Sequence, residues 1–172
     1  MLKDFSSYWL LGLEPQYTGL VLQAAEGVVV LPRVVMNIGY ESIAKQVFVH
    51  STPRPVEVEE AIIRIEDEIM RVHKQVDATL PLVSSDEHVW EIARRARSSD
   101  KGVGIEVVLQ RVLQRDEVEF LFNRWADIVS GSPVHASEQV MTKEFGAQLL
   151  ILRELLHHFN FKEVLLVQKV SK

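Results

Sequence analysis

The feature that most constrains the fold is a change of hydrophobic period close to residue 50. Before it, short runs rich in valine, leucine and aromatic residues alternate with turn signals, a pattern that is typical of strands. The predicted strands are YWLLGLE (8–14), TGLVLQAAEG (18–27), VVVLPRVVMNIG (28–39) and KQVFVH (45–50). The short connections predict antiparallel pairing of the first strands, and a brief helix is expected around Glu41 to Lys45.

After residue 50 the apolar residues recur at helical spacing. The clearest stripe has steps of 4, 3, 4, 3 and 4 residues and consists of Val58, Ile62, Ile65, Ile69, Val72 and Val76. It predicts a helix that begins near Pro55, with Ser51 or Thr52 as its cap.

Further helices and a closing strand complete the prediction. One helix starts at the capping box Ser84-Ser85-Asp86-Glu87 and runs through HVWEIARRAR (88–97). The next two cover about Ile105 to Val129 and about Thr142 to Phe159. Asn160 ends the last helix, and FKEVLLVQKV (161–170) is predicted to form a strand.

These elements indicate an α/β layered fold of the α+β type. We expect a small, mainly antiparallel sheet of the N-terminal strands and the C-terminal strand, packed with about four helices, because a lone closing strand cannot satisfy its backbone groups. An actin-like or ribonuclease-H-like arrangement is the alternative, since it also begins with three antiparallel strands. Against that alternative, the early segment has no Asp-x-Gly phosphate turn, and three predicted helices precede the last strand.

Composition limits the classes of function that remain open. The chain has 172 residues, a net charge of −5 and no cysteine, so we expect a single domain over residues 1–172 without disulfides or thiolate metal sites. The acidic balance argues against binding to nucleic acid or to an anionic membrane. No segment has the apolar length of a membrane span or the pattern of a signal peptide, which predicts a cytoplasmic protein.

The segment from His50 to Pro55 is the first candidate site, because a predicted strand ends there and a helix begins. Ligands of α/β folds gather at the carboxyl ends of strands, and the N–H groups at a helix N-terminus favour anions. Ser51, Thr52 and Arg54 would bind a phosphate or a carboxylate, with His50 as an acid–base candidate. The alternative interpretation is structural: the hydroxyls cap the helix, and the glutamates that follow repel an anion.

The segment Glu154-Leu-Leu-His157-His158 is a weak metal candidate near the end of the last predicted helix. Glu-x-x-His spacing places Glu154 and His157 on one helix face, as in di-iron carboxylate bundles. The sequence holds no second Glu-x-x-His, and histidines near a helix C-terminus also interact favourably with the helix dipole. No cofactor is assigned on this pattern.

His135 lies close to Ser137 and Glu138, residue types that occur in nucleophilic and acid–base sets. The spacing identifies no group that would orient the base, and a Gly-x-Ser-x-Gly elbow is absent, so a loop is the alternative. His50, His135 and His157 are the catalytic candidates, since histidine changes its charge near neutral pH.

Two functions remain open. The helix stripes carry apolar residues off the main line, among them Ile63, Met70 and Leu150, which favours a homo-oligomer. The main hypothesis is a small cytosolic oligomeric binding or accessory protein without a strong catalytic signature, for which a protein partner is the possible ligand. The alternative is an enzyme that acts on a phosphorylated or carboxylated metabolite through an anion site at residues 50–54.

Overall fold

A computed structural model describes residues 6–24, 29–97, 110–135 and 138–168. The described strands are β1 (Ser7–Leu13), β2 (Thr18–Ala24), β3 (Val29–Met36), β4 (Leu82–Ser84), β5 (Gln110–Gln114) and β6 (Glu163–Val167). The described helices are α1 (Tyr40–Gln46), α2 (Pro55–Val72), α3 (Glu87–Arg97), α4 (Arg115–Val129) and α5 (Lys143–His158). A 3-10 turn over His73–Gln75 follows α2. None of the helices in these ranges combines the length and the apolar character that crossing a membrane requires.

The strands form one mixed sheet in the order β3-β2-β1-β4-β6-β5. β1 pairs antiparallel with β2, and β2 with β3, as the short connections predict. β4 lies parallel to both β1 and β6, and β5 is antiparallel to β6 at the edge. The predicted α/β layered fold is confirmed, and the closing strand lies inside the sheet, where both of its edges are paired.

Side chains alternate between the two faces of β1. Trp9 and Leu11 point into the main core, which they share with the helices, whereas Tyr8 and Leu10 belong to a smaller cluster on the opposite face. Within the described ranges that cluster contains strand residues alone: Tyr8, Leu10, Val83, Val112, Leu165 and Val167. The described helices therefore pack on the face that carries Trp9.

Helix α5 is the centre of the helical layer. All its residues from Phe145 to Leu152 are buried, and it packs against α1, α2, α3 and α4. Residues off its predicted stripe, such as Leu150, are therefore covered within the chain. Its ends are those that the sequence predicts: the Thr142 hydroxyl oxygen accepts a hydrogen bond from the Phe145 N–H (3.1 Å), and Asn160 adopts a positive φ of 58°.

The predicted strand at residues 45–50 is wrong. Residues 40–46 form α1, in agreement with the brief helix expected there, and residues 47–50 belong to no strand. Val47 and Phe48 are buried at the end of this helix, where the Phe48 ring lies 6.1 Å from the ring of Trp125. A short apolar run is therefore a packed helix end here, because burial alone does not distinguish it from a strand.

The sequence does not predict β4 and β5. β4 is three residues long, too short to show alternation, and it is held between β1 and β6. β5 occupies residues 110–114 of the predicted helix over 105–129, so α4 begins at Arg115; residues 105–109 lie outside the described ranges. Pairing with β6 outweighs the local helical pattern, because strand formation depends strongly on neighbouring strands.

Gly146 lies near the start of α5, at a position where alanine ordinarily stabilises a helix by about 1 kcal/mol. A Cβ there would lie 2.4 Å from Trp125 Cζ2. Gly146→Ala should therefore lower the free energy of unfolding by about 1–3 kcal/mol through overpacking. Urea unfolding of the variant and the wild type measures the change.

The control combines Gly146→Ala with Trp125→Phe, a substitution that removes the indole atoms that the new Cβ would meet. Because the two positions are in contact, the double variant should lose less stability than the sum of the two single variants. Additive losses, or a Gly146→Ala protein as stable as the wild type, would contradict the predicted overpacking.

Candidate functional site

A cleft of about 780 Å³ opens where β1 and β4 end. These strands are parallel neighbours, so their carboxyl ends lie at the same edge of the sheet. Its wall is formed by the β1–β2 turn, by Arg33 and Val35 of β3, by Tyr40 of α1 and by residues 85–88 at the start of α3. In open α/β sheets, ligands bind outside the carboxyl ends of the strands, which makes this cleft the candidate site.

Where β1 pairs with β2, two glycines leave only backbone atoms on the floor of the cleft. Gly12 of β1 pairs with Gly19 of β2, and both line the cleft. A Cβ on Gly12 would lie 3.7 Å from Glu14 Oε1, and a Cβ on Gly19 would lie 3.6 Å from the Tyr17 ring. The paired glycines therefore leave room for a ligand beside Glu14.

Asp86 fixes the end of β1 to the beginning of α3. Its Oδ2 accepts a hydrogen bond from the Leu13 N–H (2.7 Å), and its Oδ1 accepts one from the His88 N–H (2.8 Å). The Ser84 hydroxyl donates to the Leu11 carbonyl oxygen (3.0 Å) and accepts from the Asp86 N–H (3.2 Å). The segment that the sequence identifies as a capping box thus also joins two strand ends and places a carboxylate in the cleft wall.

The β1–β2 turn is held against α1. The Pro15 carbonyl oxygen accepts hydrogen bonds from the N–H groups of Glu41 (3.0 Å) and Ser42 (3.2 Å). Gly39 is required at this contact, because a Cβ there would lie 2.3 Å from the same carbonyl oxygen. The contact positions the neighbouring Tyr40 in the wall of the cleft.

Tyr40 and His88 lie side by side in that wall, with ring centroids 4.7 Å apart and ring planes tilted by 59°. Burial raises the pKa of the Tyr40 hydroxyl, and neighbouring carboxylates, which include Asp86 and Glu14, raise the pKa further. The phenol therefore stays protonated at neutral pH, where it can donate a hydrogen bond to an anionic ligand.

The cleft carries more carboxylates than cations. Glu14, Asp86 and Glu87 line it, whereas Arg33 is the one arginine or lysine among the described lining residues. Glu14 is exposed, and its carboxylate receives no hydrogen bond from the described part of the chain. Carboxylate oxygens are the ligands that Mg²⁺ prefers, and a carboxylate in a cleft can also accept a proton from water. Glu14 is therefore the residue available for general-base chemistry, and Asp86, whose two oxygens each accept one hydrogen bond, still has lone pairs for a metal ion.

Residues 50–54, the predicted anion site, join two helices rather than a strand and a helix. The N-cap of α2 is Arg54, not Ser51 or Thr52, and all three of these residues are exposed. This connection is therefore not at the carboxyl end of a strand, the place where ligands of α/β folds gather. Anion binding by Ser51, Thr52 and Arg54 stays a prediction without that support.

Glu57 occupies the beginning of α2. Its Oε2 accepts a hydrogen bond from the Arg54 N–H (2.9 Å), and its Oε1 lies 2.7 Å from His50 Nδ1. Burial acts to raise the pKa of the Glu57 carboxyl, but the hydrogen bonds with Arg54 and His50 outweigh it and hold the pKa below its usual range. A carboxylate of the chain itself thus takes the place at the helix N-terminus that an anion would favour.

The end of α5 separates the two histidines of the predicted metal set. His157 Nε2 contacts Glu119 of α4, whereas His158 Nε2 lies 3.6 Å from Glu154 Oε2 and 3.2 Å from Glu66 Oε1 of α2. Glu154 is therefore paired with the histidine four residues later, not with the histidine three residues later that the spacing predicts. Glu66, to which no sequence pattern points, is the third member of that group.

Glu138 anchors the loop that follows α4. Arg124 donates from Nε and Nη2 to its two oxygens at 2.6 Å each, and the His135 N–H donates to Oε2 (2.7 Å). These contacts, that of Arg124 above all, lower the pKa of the Glu138 carboxyl to about 2. A carboxylate held in this way is a weak base, which favours the loop over the acid–base set; Ser137 lies outside the described residues.

No predicted site residue lines the cleft. The lining residues that were not predicted from the sequence include Tyr40, Asp86 and His88. One signal was available: the apolar run of residues 80–83 directly precedes the capping box, as a buried strand before a helix would. The strand-to-helix connection was expected at residues 45–55 instead, which directed the prediction to a different part of the molecule.

Glu138 should make stability depend on pH in the acid range. Its pKa is about 2 in the folded chain against an ordinary value of 4.5, so its stabilising effect is complete above pH 4.5 and is lost as the pH falls towards 2. Glu138→Gln should therefore lower the melting temperature at neutral pH, and its difference from the wild type should shrink below pH 4.5. Circular dichroism melts across this pH range measure the difference.

Glu60→Gln is the control for this series, because Glu60 pairs with Arg64 on the exposed face of α2. It should change the melting temperature little at any pH, as exposed ion pairs contribute weakly. A Glu138→Gln difference that stays constant down to the acid end of the range would contradict the assignment.

The architecture is shared with solved phosphatase structures. The chain is similar to the type II variant of the Aquifex aeolicus Ppx/GppA phosphatase, with a TM-score of 0.74 and 18% identity over 97% of this chain. It is also similar to an exopolyphosphatase from Cytophaga hutchinsonii ATCC 33406, with a TM-score of 0.70 and 8% identity over 96% of this chain. The chain spans about half the length of these structures, 55% and 54% respectively. No protein-family model and no curated protein matches it.

Likeness at this level of identity shows the fold. The alternative prediction, an actin-like or ribonuclease-H-like arrangement, is confirmed, because the Ppx/GppA structures have that fold. The missing Asp-x-Gly turn and the helices before the last strand do not exclude it, since strand order and packing define the fold and turn residues do not.

Proposed function

We propose that the chain belongs to an enzyme that binds and hydrolyses a phosphorylated substrate in the cleft at the ends of β1 and β4. The observation that carries this proposal is the position of the cleft. It opens at the carboxyl ends of parallel strands, in a fold shared with the Ppx/GppA phosphatase of Aquifex aeolicus. The same observation favours the enzyme over an accessory role. A cytoplasmic location stays a prediction.

The β1–β2 turn offers few backbone N–H groups to a phosphate. The Leu13 N–H donates to Asp86, the Glu14 N–H donates to the Tyr17 carbonyl oxygen (2.9 Å), and Pro15 has no N–H. Groups outside this turn must therefore bind most of a phosphate in this cleft.

We expect the substrate to enter as a magnesium complex, because an acidic cleft repels a bare phosphate. Asp86 offers carboxylate lone pairs to the ion, while Arg33 and the protonated Tyr40 hydroxyl are the donors available to phosphoryl oxygens. The ion then neutralises the charge between the substrate and the cleft wall.

Hydrolysis requires a base for the attacking water, and Glu14 is the candidate. Its carboxylate is exposed, lies beside the floor at Gly12 and receives no hydrogen bond from the described residues. Water attacks phosphorus, its proton passes to Glu14, and the bond from phosphorus to the leaving oxygen breaks. The leaving oxygen takes up a proton from solvent, and a magnesium ion bound with the substrate would stabilise the negative charge that develops on it.

Glu14→Gln should lower kcat for phosphate release by about 10²–10⁴-fold and leave KM little changed, because a general base contributes about that much to the rate. The measurement is release of inorganic phosphate from polyphosphate, pyrophosphate and a nucleoside triphosphate in the presence of Mg²⁺. Glu60→Gln, a change of an exposed carboxylate on α2, is the control and should keep the wild-type rate.

Two results would contradict the proposal. Wild-type protein that releases phosphate from none of these substrates above a protein-free blank would exclude hydrolysis of this class. Equal rates for Glu14→Gln and the wild type would exclude Glu14 as the base.

A second function, that of a homo-oligomeric accessory protein, is supported by the outer face of α2. Val56, Ile63 and Met70 lie there in steps of seven residues and are 65%, 58% and 59% exposed. Apolar side chains in one line on an exposed helix favour contact with another chain. The proposed partner is a second copy of the chain, with its own α2 against this face.

Ile63→Glu should convert such an oligomer into monomers without loss of the fold, since Ile63 is exposed. Size-exclusion chromatography with light scattering measures the mass, and circular dichroism checks the fold. Ile65→Glu is the contrasting variant: Ile65 is 0% exposed, so a buried charge there should unfold the chain. A monomeric wild type, or an Ile63→Glu protein of unchanged mass, would contradict the oligomer.

A further inference from the structure

We propose that Glu66, Glu154 and His158 form a binding site for a zinc ion that links α2 to α5. Their ligand atoms all lie within 4.8 Å of one another, on two helices that pack side by side. The three residues are absent from the lining of the cleft, so the proposal is independent of the proposed function.

Glu154 supplies the main physical reason. It lies on the most buried helix and is 3% exposed, although a buried carboxylate is favourable only when charges or a metal compensate for its lost solvation. Arg153 Nη1 contacts Oε1 at 2.5 Å. In the described part of the chain, Oε2 has no donor closer than His158 Nε2 at 3.6 Å, which is longer than a hydrogen bond. His158 Nε2 lies within hydrogen-bond distance of Glu66 Oε1 (3.2 Å), so a cation that replaces this bond would take Oε2, Nε2 and Oε1 as its ligands.

Two of the three ligand separations fit the size of zinc. Zinc bonds of about 2.0–2.2 Å place the ligand atoms of a tetrahedral site about 3.4 Å apart. His158 Nε2 lies 3.2 Å from Glu66 Oε1 and 3.6 Å from Glu154 Oε2, one value on each side of that separation.

Neighbouring groups orient the ligands. Arg153 holds one oxygen of Glu154 and leaves the other towards His158. His73 Nε2 lies 3.0 Å from the His158 carbonyl oxygen, and the His73 ring stacks on Phe159 with centroids 5.6 Å apart. The Arg153 contact orients the Glu154 carboxylate, as groups around a metal ligand commonly do, and the His73 contact holds the backbone at the end of α5.

The chemistry of the set selects the ion. An imidazole nitrogen with two carboxylate oxygens suits zinc, whereas Mg²⁺ prefers oxygen ligands in octahedral geometry. The side chains of His158 and Glu66 are 28% and 42% exposed, so an ion enters from solvent and water takes the fourth position. The ion acts as a cross-link between the middle of α2 and the end of α5.

The test is a zinc titration of tag-free, chelator-treated protein in competition with a chromogenic chelator. One zinc ion per chain is expected to bind, and excess Mg²⁺ should not displace it. His158→Gln and Glu66→Gln should each weaken zinc binding by at least about tenfold. Both side chains are partly exposed, so the variants should fold, and circular dichroism checks that they do.

His157→Gln is the matched control, because His157 sits on the same turn of α5 but contacts Glu119. It should keep the zinc affinity of the wild type. Zinc should also raise the melting temperature of the wild type and of His157→Gln, but not that of His158→Gln.

Three results would overturn the proposal: no zinc binding by the wild type, equal losses in His157→Gln and His158→Gln, or a His158→Gln protein that binds zinc as tightly as the wild type. The last two would show that any bound zinc lies elsewhere.

Discussion

The burial of α5 from Phe145 to Leu152 is the constraint on which the rest of the structure depends. An apolar helix segment of this kind needs neighbours on every side. Helices α1, α2, α3 and α4 pack against it, in one core with the face of the sheet that carries Trp9. On the other face of β1, Leu10 and Gly12 are left to line the cleft. The candidate site therefore lies away from α5, and no residue of α5 lines it.

The sequence predicts the elements whose pattern is long and local. The stripe of α2 and both ends of α5 are found where they are expected, because about three or more turns of periodic burial leave a readable signal. β4 and β5 have no such signal, since one is three residues long and the other exists through its pairing with β6. Val47 and Phe48 show the reverse error, in which tertiary burial at a helix end imitates a strand.

The candidate site was harder to predict than the fold, because the residues that are close in sequence already suggest a purely structural role for each residue of the site. Asp86 is a helix cap in sequence, and only the return of β1 beside β4 shows that it also binds the Leu13 N–H. Glu57 is the opposite case. Its carboxylate accepts a hydrogen bond from the Arg54 N–H, so an anionic group of the chain already occupies the helix N-terminus beside residues 50–54. The pairing of His158 with Glu66 joins residues 92 positions apart, which no spacing rule detects.

The cleft at the end of β1, and not the connection at residues 50–54, is the proposed binding site for a phosphorylated ligand with magnesium. Amide chemical shifts of the labelled protein, recorded during titration with magnesium pyrophosphate, test this most directly. We expect saturable shifts that cluster at residues 12–14, at Tyr40 and at residues 86–88. Shifts confined to residues 50–57, or a spectrum that does not change, would contradict the proposed site.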